Sequence, residues 1–235
     1  MSDLREQTVV VTGAAGHLGR AVAAAFDARG AQLVLLDRER AALQQVYGGE
    51  TPRRLFVAAD LLDAAQVESA LRSAHERHGR IDVLCNLAGG FRMGEAVHET
   101  SARTWDFLMD INARTVLHAV AAAVPWMQKA GQGRIVNVAA GAAQRGMAQM
   151  GAYCASKSAV IRLTESMAAE LREQGINVNC VLPTIIDTPD NRAAMPDADP
   201  GRWVAPADLA EVIVFLASPA ARAVHGAALP VSGLS

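Results

Sequence analysis

Seven short aliphatic runs punctuate the chain: Thr8–Thr12, Gln32–Leu36, Leu55–Ala59, Val83–Leu87, Arg134–Ala139, Ile176–Leu182 and Ala228–Val231. Few of them alternate with polar residues. A strand with one wet face must alternate, so these runs demand cover on both faces. Longer stretches with helical spacing lie between them: Leu18–Arg29, Ala64–His78, Ile111–Lys129, Ala152–Gln174 and Ala207–Ala217. This order predicts an α/β fold: a single doubly wound, Rossmann-type, seven-stranded parallel sheet with helices on both faces and right-handed crossovers. No repeat, low-complexity tract or linker interrupts the pattern, so residues 1–235 are expected to form one domain.

Charge and cysteine usage remove several classes of function. A net charge of −2 offers none of the concentrated positive charge that nucleic acid or an anionic membrane requires. The most apolar helix, around Leu117 to Met127, reads as too short to span a bilayer and contains Pro125. No basic stretch followed by an apolar run opens the chain. Cys85, Cys154 and Cys180 are odd in number and widely spaced, which fits core thiols in a reducing compartment. The histidines form no ligand set, and His75 and His78 on a charged helix are expected to face solvent. The expectation is a cytoplasmic protein with a small-molecule substrate, no metal, no nucleic acid and no membrane.

The first strand runs into Thr12-Gly13-Ala14-Ala15-Gly16-His17-Leu18-Gly19 and then a helix. Glycines at such a turn let the backbone approach a pyrophosphate, whose charge meets the amides and dipole of the helix N-terminus. Gly13, Ala15, Gly16, His17, Leu18 and Gly19 are therefore candidate dinucleotide contacts. The second strand ends at Asp37, roughly 20 residues past Gly19, where an acid accepts both adenosine ribose hydroxyls. A carboxylate there repels the 2′-phosphate of NADP(H), so NAD(H) is preferred, although the adjacent Arg38 is placed to meet a phosphate. Asp60, with Leu61 beside it, is placed to accept from the adenine amino group; capping the next helix is its alternative role.

With Tyr153-Cys154-Ala155-Ser156-Lys157 the chain resembles the short-chain dehydrogenases/reductases from end to end. The glycine turn, Asp60, the Asn86-Leu87-Ala88-Gly89 segment, Asn112, Pro183 with Thr188, and the closing Gly226…Val231-Ser232-Gly233 match in order. The resemblance implies that Tyr153 is the general acid/base and that Lys157, one helical turn along, lowers its pKa and binds the nicotinamide ribose. It implies that Asn112 holds a water linking the lysine to solvent. Asn86, Ala88, Gly89 and Pro183 would line the cofactor, and Thr188 with the Ile186 backbone would grip the carboxamide. It also implies a homo-oligomer, a tetramer or else a dimer, built on Ile111–Lys129 and Ala152–Gln174.

One departure stands out. The family places a serine thirteen residues before the tyrosine, and that position here is Ala140. Its spacing from Asn112 fixes the register, and no Ser, Thr or Tyr lies between Ala139 and Ala152. Gln144 and Gln149 are the remaining side-chain donors, while Ser156 reads as an ordinary helix-face serine. Dihydropteridine reductases also carry alanine there, and the chain is similar to them in Gly16, in Ala88-Gly89-Gly90 and in Thr184 after Pro183. That resemblance implies NADH and a conjugated quinonoid acceptor that needs no second donor. The alternatives are an ordinary 3-oxoacyl or ketone reductase with a substituted donor, and a dinucleotide-binding sensor or scaffold that has lost catalysis. Phe91–Val97, Ala142–Met150 and Asp190–Trp203 are the segments expected to set substrate choice, with residues 189–204 as a mobile lid.

Overall fold

A computed structural model describes residues 4–235. Each of the seven aliphatic runs is a strand: β1 (Thr8–Thr12), β2 (Gln32–Asp37), β3 (Arg54–Ala58), β4 (Val83–Asn86), β5 (Gly133–Val138), β6 (Ile176–Pro183) and β7 (Ala228–Val231). All neighbours pair in parallel in the order β3-β2-β1-β4-β5-β6-β7. The helices are α1 (His17–Asp27), α2 (Arg40–Tyr47), α3 (Ala64–His78), α4 (Ala102–Met109), α5 (Thr115–Ala130), α6 (Gly151–Leu171), α7 (Pro189–Ala194) and α8 (Pro206–Leu216).

The period of two along each strand sorts the core into two layers. Val10, Val34, Leu36, Leu84 and Ile135 pack under α3, α5 and α6 against Leu71, Val120, Met127 and Val160. Val9, Val11, Leu33, Leu35 and Val136 face the other way, onto Val22 and Phe26 of α1 and Leu209 and Ile213 of α8. The strand order reverses between β1 and β4, which opens a crevice at the carboxyl ends of the strands, the usual ligand position in such sheets.

Several expectations need correcting. Helices α2, α4 and α7 carried too weak a period to be anticipated; α2 buries only Leu43 and α4 only Leu108. The helix expected to start at Ile111 belongs to a run of 29 residues, Ala102–Ala130, that includes a π-helical turn at Asp110–Arg114. By length and composition alone that run could cross a membrane, so shortness excludes nothing. Its apolar residues Val116, Ala119, Val120, Ala123 and Met127 instead pack in the core. His75 and His78 are not solvent-facing: His75 stacks on Trp126 of α5 (4.0 Å between ring centres), and His78 is half-buried. Burial, reinforced by Arg77, holds the His78 pKa below its ordinary value. The cap of α3 is Asp63, which accepts from Ala65 N–H and Gln66 N–H; Asp60 accepts from Leu62 N–H instead.

Candidate active site

The glycine turn is built by close approach. Gly13 has φ +64°, and a Cβ there would lie 3.0 Å from Ala88 Cα and N. A Cβ on Gly19 would come within 2.7 Å of Ala14 Cα and O, so α1 leaves the strand only because both positions lack side chains. The Thr12 hydroxyl accepts from Leu87 N–H (3.1 Å) and Ala88 N–H (3.3 Å), tying the end of β4 to the turn. Thr12 thus belongs to the site as a support, although its place before the glycine gives no sign of that. Gly16 caps α1 without any side-chain bond, which leaves the first-turn amides as donors for an anion.

Asp37 ends β2 beside this turn. Its carboxylate accepts from Ala15 N–H (2.9 Å) and Arg38 N–H (2.8 Å). Of the neighbouring cations, Arg20 donates from Nε to Ala15 O (2.9 Å), and the exposed Arg38 lies 3.8 Å from Glu39. His17 stands at the first position of α1 with Nε2 4.0 Å from Asp190 Oδ2 on α7, so the turn and that helix meet there.

Behind the crevice lies a buried polar cluster. The π-helical turn brings the Asn112 amide to the Gly90 backbone, where Oδ1 accepts from Gly90 N–H and Nδ2 donates to Gly90 O, each at 3.0 Å. Nδ2 also donates to Ser156 Oγ (3.0 Å), and Ser156 Oγ donates to Tyr153 O (2.8 Å). Ser156 is therefore no helix-face serine; it is fully buried and joins Asn112 to the tyrosine's backbone. Lys157 is buried on the same helix and donates from Nζ to Val138 O (2.9 Å). A Cβ on Gly89 would lie 3.0 Å from Asn112 Oδ1 and 3.2 Å from Lys157 Nζ, so amide, ammonium and turn backbone converge.

The electrostatics differ from the expectation in one respect. Burial pushes the Lys157 pKa down to about 8. Burial, with a smaller contribution from Cys154, likewise pushes the Tyr153 phenol up to about 12, while the Lys157 ammonium donates to Val138 O. The Tyr153 ring meets Phe91 edge-on, with 4.8 Å between centres.

Ala140 is buried at the end of β5, in extended backbone that leads into a 3₁₀ turn at Gly141–Gln144. Gln144 and Gln149 are both exposed, and Gln149 sits at φ +60°, an unusual conformation for a side-chain-bearing residue. Residues 189–204 prove more ordered than an irregular loop. The Thr188 hydroxyl caps α7 by accepting from Asn191 N–H (3.2 Å) and keeps its own hydrogen to donate; Ile186 O accepts from Asn191 Nδ2 (2.8 Å). The base of the segment is pinned by an Ile186–Val204 bridge and buried Trp203. Arg192 is held by Asp187 through two bonds (2.6 and 2.8 Å). Arg202 donates to Leu234 O (2.7 Å).

The profile of the short chain dehydrogenase family matches residues 7–199. The chain belongs to that family. It is 35% identical to D-threitol dehydrogenase of Mycolicibacterium smegmatis, over 97% of this chain and 92% of the relative. It is 36% identical to an inactive 2-(S)-hydroxypropyl-CoM dehydrogenase 2 of Xanthobacter autotrophicus, over 87% and 94%. Among solved structures, 3-ketoacyl-(acyl-carrier-protein) reductase from Brucella melitensis complexed with NADH superposes with a TM-score of 0.88 and 30% identity, over 98% of each chain. The relatives establish an oxidoreductase family acting on small molecules.

Proposed function

We propose that this chain is an NAD(H)-linked oxidoreductase of a carbonyl or conjugated quinonoid compound, working through Tyr153 and Lys157 without the customary serine. The observation that carries the reading is the convergence of Lys157 Nζ and Asn112 Oδ1 on Gly89, one helical turn from a tyrosine that lines an open cavity. The dinucleotide, when bound, supplies or accepts the hydride. Gly13–Gly19 and the uncapped first turn of α1 would hold its pyrophosphate, Asp37 its adenosine ribose, and Thr188 with Ile186 its carboxamide. Asp60 and Leu61 stay candidates for the adenine side, and Asn86, Ala88, Gly89 and Pro183 for the crevice floor. Tyr153 keeps its proton until the substrate oxygen takes it, consistent with a phenol held near 12.

The reading favours NAD(H), because the carboxylate of Asp37 faces the turn, held by Ala15 N–H and Arg38 N–H. Ala140 favours an acceptor that needs no second donor, the property expected of a conjugated ring such as a dihydropterin. A symmetric homo-oligomer remains part of the proposal, supported by the exposed Trp105 of α4 and Leu117 of α5. Thermal-shift titration tests the cofactor: NADH should stabilise the fold at concentrations at least about tenfold below those needed for NADPH. At about 100 times the dissociation constant the gain is about 2.7 kcal/mol. Equal response to NADPH removes the argument from Asp37. A turnover screen over quinonoid dihydropterin, quinones and β-ketoacyl thioesters then identifies the acceptor class.

A further inference from the structure

A cavity of about 160 Å³ opens beside Tyr153, between the 92–95 segment, α4 and the start of α6; Arg92, Glu95, Thr104, Gln149 and Tyr153 line it. We infer that this cavity takes a compact carbonyl or hydroxy compound bearing an anionic group, a carboxylate above all, and that Arg92 is the residue that holds the anion. The inference rests on the reading of Tyr153 as the proton-exchanging residue.

The Arg92 guanidinium lies over the Phe107 ring, 3.8 Å from its centre. Stacking of this kind occupies a face of the guanidinium and leaves its N–H edges free, and those edges match a carboxylate in two-pronged fashion. Among the described residues no carboxylate is paired with Arg92. The cavity's own acid, Glu95, is taken up by Ser101 N–H (3.0 Å) and the Thr104 hydroxyl (2.8 Å). Across the crevice Arg192 is already bound by Asp187 and Arg202 by Leu234 O. Arg92 is thus an uncommitted cation on the wall that also carries the reacting tyrosine.

The segment bearing it is tethered at two points. Phe91 rests edge-on against Tyr153, and Gly94 N–H donates to Gln149 O (2.8 Å). A pre-positioned cation loses little freedom when an anion docks, so more of the interaction appears as affinity. The volume sets the scale of the ligand. It falls well below the ~300 Å³ at which pockets for drug-sized molecules begin, so a compact acid suits it.

Two unreactive probes test this by titration calorimetry on the NADH-saturated protein: cyclohexanecarboxylate and cyclohexanecarboxamide. The carboxylate should bind about tenfold tighter or more, the effect expected of one charge-assisted pair. Arg92→Gln should erase the preference and Arg92→Lys should keep part of it. No saturable carboxylate binding, equal affinity for the two probes, or a preference that survives Arg92→Gln overturns the inference. Reduction of quinonoid dihydropterin by wild type and Tyr153→Phe is read separately. Turnover that survives in Tyr153→Phe defeats the mechanism while leaving the calorimetric result on Arg92 intact.

Discussion

The two banks of the crevice are built on different terms. On the cofactor bank, Gly13, Gly19, Thr12 and Asp37 sit in a web of backbone contacts that admits almost no other side chain. On the substrate bank, Phe91, Met93 and Met147 are more than two-fifths exposed, and a Cβ on Gly146 would meet nothing within 4 Å. On the proposed reading, the first bank holds the part of the reaction common to every substrate, the dinucleotide. The second is held at a few points only, so substrate choice can change there without disturbing the fold. Tyr153 stands at the seam, anchored through its backbone to Ser156 and Asn112 and open through its ring to the cavity.

The largest expected effect comes from the seam itself. Tyr153→Phe removes the proton donor and should lower kcat by about 10²–10⁴. NADH affinity, measured by fluorescence titration, should stay close to that of wild type. Retention of most activity would mean that the proton comes from another group.

Paired glycine substitutions contrast the banks directly. Gly19→Ala forces Cβ onto the Ala14 backbone and should destabilise by about 1–3 kcal/mol. That corresponds to roughly 2–12 °C in Tm, with NADH binding impaired. Gly146→Ala enters open space and should change stability by less than about 0.5 kcal/mol. Similar losses at both positions would erase the distinction between the banks.

This contrast also explains what the sequence disclosed. Strand positions, the parallel sheet and the glycine turn were legible because burial on both faces permits only apolar runs, and close backbone approach permits only glycine. Asn112, Tyr153 and Lys157 were legible through the family resemblance, and the structure brings them together. Helix α2 escaped notice because a helix burying only Leu43 carries little period. The start of the long helix was misplaced because α4 buries only Leu108 and the π-helical turn at Asp110–Arg114 shifts the period midway. The structural part of Ser156, and the arginine edge left free at Arg92, depend on contacts between distant segments that spacing does not encode.

A smaller effect follows from the buried ammonium. The Lys157 pKa falls from 10.5 in the unfolded chain to about 8 in the fold, so between those values the unfolded chain binds the extra proton. Stability should therefore rise with pH from about 8, by at most about 1.4 kcal/mol per unit. Tyr153 acts with the opposite sign above pH 10, where the unfolded phenol ionises and the folded one, at about 12, does not. Urea midpoints between pH 7 and 10 for wild type and Lys157→Met should diverge accordingly, the wild type gaining relative to the variant as pH rises. Parallel curves would show that Lys157 is not desolvated.

The proposed chemistry turns on Ala140 belonging to a working site whose acceptor needs no second donor. Ala140→Ser tests this, with kcat/KM measured on quinonoid dihydropterin and on an isolated ketone. The expected result is a gain on the ketone, up to the ~10²-fold associated with one well-placed donor, and no gain or a loss on the conjugated acceptor. A parallel gain on both would contradict it and mark a ketone reductase that has lost its serine. No activity on either substrate, before or after the substitution, would mark a dinucleotide-binding protein without catalysis.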